Sequence, residues 1–145
     1  MLRRILWLVL IFCLQGHSQY IYEASQKDTI LKINRLSQQF ENLLNNLQSQ
    51  FPKRIKKVTG IGLFRGLELN FSIISNQLGL DMKKIPVSFS SLYTLAAVRF
   101  LYKNGILTYF SPTEPEVLHI EPNIRVTKND FKLLENNLVL FFKSN

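Results

Sequence analysis

The feature that most restricts this chain is the run Thr59-Gly60-Ile61-Gly62-Leu63-Phe64-Arg65-Gly66, which leads into apolar Leu67, Leu69 and Phe71 alternating with polar Glu68 and Asn70. Alternation of this kind gives a strand one buried face. Glycines admit turns, bulges or close approaches that a side chain would obstruct. The run therefore predicts a β-hairpin within Ile55–Phe71. It does not make a nucleotide loop: Phe64-Arg65 separate Gly62 from Gly66, the third glycine of a dinucleotide fingerprint is missing, and a strand follows where the anion-binding helix should begin.

Around the hairpin the period changes. Asp28-Thr29 introduces Ile33, Leu36, Phe40, Leu43, Leu44 and Leu47 at helical spacing, a packing helix that ends near Phe51-Pro52. After a variable stretch from Ser72 to Val87, Ser90-Ser91 caps a second helix through Leu92, Leu95, Ala96, Val98 and Leu101 to Tyr102. Asn104-Gly105 stops it and turns the chain into a short strand, Ile106 to Phe110. A loop with Pro112, Glu114, Pro115 and Glu116 precedes a neighbouring strand, Val117 to Glu121, ended by Pro122. Thr127-Lys128-Asn129-Asp130 resembles a capping box with Asp in place of Glu, and Phe131, Leu134, Leu138 and Phe141 follow at helical spacing. The order predicts an α+β fold, a small mainly antiparallel sheet with helices packed on one face.

The 145 residues allow one core. The formal charge of +8 is scattered, and its densest group, Lys53, Arg54, Lys56 and Lys57, has no interleaved aromatics, so a solvated basic face is expected rather than a nucleic-acid surface. The single cysteine, Cys13, makes neither an internal disulfide nor a Cys-based metal site, and His17 and His119 do not supply a metal site either. Residues 1–28 form a leader-like segment and linker. Arg3-Arg4 followed by apolar Ile5 to Leu14 is built like a signal peptide with Gly16-His17-Ser18 before a cleavage point, or like a greasy N-terminal helix. The apolar run is too short for a stable transmembrane span, which needs about twenty residues.

Val58-Thr59-Gly60-Ile61-Gly62-Leu63-Phe64-Arg65-Gly66-Leu67-Glu68-Leu69 resembles the V-R-G-x-G-L-x-x-G-x-E-L hairpin of class III pyridoxal-phosphate-dependent aminotransferases. Tyr102 to Thr108 is similar to that family's L-x-x-x-G-V-L helix exit, Leu118-His119-Ile120-Glu121-Pro122-Asn123-Ile124 to its L-R-I-x-P-P-L strand, and Thr127 to Asp130 to the start of its terminal helix. The resemblance covers about Thr29 to Phe142 and implies the C-terminal small domain of such an enzyme, residues 29–145 here, with the fold of fold-type I small domains.

The family transfers amino groups with pyridoxal phosphate held by a lysine of its large domain, and none of the eleven lysines here sits in anything like that motif. The resemblance thus implies a truncated or split aminotransferase, without catalytic or cofactor-binding residues of its own and inactive without a large domain; its expected partner is such a large domain or a homodimer mate. The alternative is a non-catalytic binding module derived from the domain, secreted if residues 1–18 are a signal peptide; the family itself points to the cytoplasm. The one site residue carried over is His119, at the position of the family's carboxylate-binding arginine. Histidine lacks the two-pronged guanidinium fork, so the expectation is either an altered substrate preference or a structural, partly buried histidine. Thr59 and Asn123 also depart from the family pattern, and Arg125 is expected to point elsewhere.

Overall fold

A computed structural model describes the backbone of residues 2–71 and 87–144 and the side chains of residues 26–71 and 91–144. The apolar run of the leader-like segment and the variable stretch from Ser72 therefore lie outside the described side chains. The chain divides into two compact units, Met1–Arg35 and Leu36–Asn145. In the first, the described residues continue one helix, with Ile30 and Leu31 exposed. The second carries the sheet, the remaining helices and the core.

Helix α1 spans Leu2–Gln50, so Asp28-Thr29 is not its start. From His17 to Phe51 the sequence has no glycine or proline, and polar residues alone do not stop a helix whose backbone bonds remain available. The chain then turns at Pro52 and forms strands β1 (Ile55–Ile61) and β2 (Phe64–Leu69), paired antiparallel with Val58 opposite Leu67 and Thr59 opposite Gly66. Two different constraints act on the hairpin glycines. Gly60 and Gly62 have φ of +95° and +62°, and Gly66 lies where a Cβ would come within 2.5 Å of Val117 Cγ1.

Helix α2 spans Val87–Lys103 and starts before the expected Ser90-Ser91 cap. Its buried face is made by Tyr93, Thr94, Ala97 and Leu101, whereas Leu92 and Leu95 are each about half exposed. Apolar residues satisfy helical spacing on both sides of α2, so period alone does not select the face; the small Ala97 and the ring of Tyr93, stacked on Phe141 at 5.3 Å, do. The exit is as expected. Gly105 has φ +78°, its N–H bonds Tyr102 O at 3.0 Å and the Ile106 N–H bonds Leu101 O at 2.9 Å, the paired bonds of a Schellman ending.

Strand β3 is Tyr109–Ser111, shorter and later than expected, and β4 is Glu114–Ile120. The expected loop is a tight turn at Pro112-Thr113, with Ser111 opposite Glu114. Proline presets φ for the second turn position, and Ser111 before it shares a 2.7 Å hydroxyl–hydroxyl hydrogen bond with Thr113. Helix α3 (Lys128–Ser144) closes the chain. The Thr127 N–H and hydroxyl both donate to Asp130 Oδ2, at 2.8 and 2.7 Å, while the Asp130 N–H donates back to Thr127 Oγ1, so the capping box forms.

The sheet order is β1-β2-β4-β3, antiparallel throughout. Ile55, Leu67, Leu69, Leu118 and Ile120 face the helices and join Phe40, Leu44, Leu47, Leu101, Phe131, Leu138 and Phe141 in one core. The predicted α+β arrangement with helices against one face is therefore observed. The opposite, outer face carries Thr59, Gly66 and His119 by strand alternation.

The two positive-φ glycines of the hairpin separate steric from conformational cost. Gly60→Ala places a Cβ 2.1 Å from Phe64 O and is expected to cost at least about 2 kcal/mol in urea unfolding, whereas Gly62→Ala meets nothing within 4 Å and is expected to cost only about 1 kcal/mol of backbone strain.

Candidate functional site

On the outer face, a concavity of about 470 Å³ is walled by Thr59, Gly60, Phe64, Arg65 and Gly66 from the first hairpin and by Tyr109, Glu114, His119 and Glu121 from the second. Antiparallel pairing builds it. His119 sits opposite Gly66 on one side and Tyr109 on the other, so the missing side chain at Gly66 leaves room beside the imidazole. His119 and Glu121, two residues apart, share a face of the chain.

The imidazole of His119 stacks on Tyr109, with ring centroids 5.1 Å apart and planes 16° from parallel. Its Nε2 is buried and lies 3.4 Å from Glu114 Oε2, a charge-pair distance without a formed hydrogen bond. The Tyr109 hydroxyl donates to Glu121 Oε1. That bond to the carboxylate, with desolvation adding to it, holds the phenol above its ordinary pKa of 10.0.

Arg65 belongs to the wall, but its side chain is committed elsewhere. By strand alternation it faces the helices with Leu67 and Leu69. Nε donates to Gly62 O at 3.1 Å, Nη1 to Gly60 O at 3.3 Å, and Nη2 pairs with Glu41 Oε2 of α1 at 2.9 Å. Only 9% of this residue is exposed. Each such charge-assisted bond contributes about 1.5–3 kcal/mol when formed. Arg65 therefore fixes the hairpin to the helix and offers no free fork to a ligand.

The structure brings His119 into a concave site and leaves Arg125 outside its lining, in an exposed turn where the Arg125 N–H bonds Asn123 Oδ1 at 3.0 Å. Sequence reasoning missed Tyr109, Glu114, Glu121 and the commitment of Arg65. Of these, Glu121 was signalled by its two-residue spacing from His119; Tyr109 and Glu114 become neighbours only through the register of the β3–β4 hairpin.

The residues do not fit pyridoxal phosphate. Among the described residues no lysine lines the concavity. Lys56 is held above its ordinary pKa by its 2.6 Å bond to Glu116, opposite to the depression that an amine nucleophile needs. Among the described residues no group of His, Cys, Asp and Glu is arranged to hold a metal ion, and no helix is long and apolar enough to cross a membrane.

No protein-family model matches the chain, and comparison with curated proteins finds no sequence match. Solved structures do match in fold. A transaminase with L-Ala superposes with TM-score 0.62 at 15% identity, over 83% of this chain and 25% of the other. The ornithine aminotransferase of Toxoplasma gondii gives 0.57 at 20% identity, over 83% and 24%. The lysine aminotransferase of M. tuberculosis gives 0.64 at 10%, over 83% and 23%.

The Tyr109–Glu121 bond is directly testable. A folded-state pKa raised above 10.0 means that its stabilisation is complete below that pH and is lost as pH rises through the folded value. Ultraviolet titration, with Tyr109→Phe to assign the signal, is expected to show Tyr109 ionising above 10.0, and Glu121→Gln to move it back toward that value. The chain thus has the fold of about one quarter of the length of the aminotransferases it matches.

Proposed function

We propose that this chain serves as the small domain of a class III, pyridoxal-phosphate-dependent aminotransferase and contributes to amino-group transfer only together with a large domain that supplies the cofactor lysine. The observation that carries this reading is the fold match over 83% of the chain to about a quarter of a transaminase. The four motifs in Val58–Leu69, Tyr102–Thr108, Leu118–Ile124 and Thr127–Asp130 run in that family's order and support the same reading. In it, His119 is the substrate-contacting residue at the position of the family's arginine, and the cytoplasm is the expected location.

Two further features favour a covered outer face. Ile61 and Phe64 are 83% and 67% exposed at the tip of the first hairpin, beside the concavity. Exposed apolar side chains next to a polar recess mark surfaces made for contact. A large domain seated there would exclude water from the recess and bring its cofactor to His119.

The chain, a class III large domain from the same source and their mixture are each to be incubated with pyridoxal phosphate and assayed for transamination, followed by borohydride reduction and peptide mapping. Activity in the mixture alone, with the reduced cofactor on a large-domain lysine, is the expected result. Activity of this chain alone, with cofactor fixed to one of its own lysines, contradicts the proposal. Inactivity of the mixture leaves the binding-module reading in its place.

A further inference from the structure

We infer that the outer-face concavity accepts an organic cation, a primary ammonium or a guanidinium, rather than a carboxylate. This rests on the reading of the His119 strand as substrate-facing and names the ligand class of that site. Among the described residues, the wall holds two carboxylates, Glu114 and Glu121, and one permanent cation, Arg65, which is bound to Gly60 O, Gly62 O and Glu41 on the helix side. His119 does not replace it: its Nε2 is buried against Glu114, and one face of its ring is against Tyr109.

A ligand carboxylate entering the recess meets like charge and finds no fork to receive it. An ammonium meets the reverse. Tyr109 occupies only Oε1 of Glu121, and a carboxylate accepts about four hydrogen bonds in all. The Glu114 side chain lines the recess and is 60% exposed. Aromatic Tyr109 and Phe64 add faces that attract cations and cover an alkyl chain.

The test is an NMR titration of the full chain with n-butylammonium, butyrate and n-butanol at matched ionic strength, following Gly66, Tyr109 and His119. Saturable shifts with n-butylammonium in roughly the millimolar range, absent with butyrate and butanol and weakened by added salt, are expected. The double variant Glu114→Gln/Glu121→Gln is expected to lose about tenfold in affinity; its thermal unfolding reports whether the fold is kept, and the probe comparison on the unaltered chain does not depend on it. Butyrate shifting these residues as much as n-butylammonium, or no probe shifting them, overturns the inference. The titration needs neither cofactor nor large domain. Ammonium binding with an inactive mixture rejects the aminotransferase role and keeps the site; an active mixture with butyrate binding does the opposite.

Discussion

The Arg65 guanidinium is the interaction on which both the hairpin and the recess depend. It reaches the carbonyls of Gly60 and Gly62, on residues whose positive φ defines the turn, and ties them to Glu41 on α1. A buried guanidinium without these partners would be costly, so the turn, the strand register and the helix position are mutually conditional. The same commitment keeps the Arg65 charge out of the recess, where Glu114 and Glu121 are among the described lining residues.

The two sides of the sheet therefore do different work. On the helix side, Leu67, Leu69, Leu118 and Ile120 meet α1, α2 and α3, and the aromatic contacts Tyr93–Phe141, Phe141–Phe142 and Phe51–Phe142 join two of those helices to the turn after α1. On the outer side, Gly66 keeps space open beside His119, and two adjacent hairpins supply the walls. The recess thus lies on the face of the sheet that the core does not use.

Much of this was legible in local sequence chemistry. The glycine hairpin, the Gly105 ending and the Thr127–Asp130 cap each follow from residues within a few positions of one another. What local chemistry did not determine was set by tertiary packing. The buried side of α2 turned on which apolar stripe met Phe141, and the length of β3 turned on a two-residue turn that spacing alone read as a loop. The site was half legible: His119 and Glu121 share a strand, whereas Tyr109, Glu114 and the inward turn of Arg65 require register and packing that no local motif encodes.

Hydrogen exchange of the chain, alone and mixed with the large domain proposed as its partner, addresses the role of the outer face most directly. Protection is expected at the amides of residues 60–66, 109–114 and 119–121 on mixing, with the helices little changed. Protection confined to the helical side, or none on mixing, would contradict the proposal that a large domain covers this face.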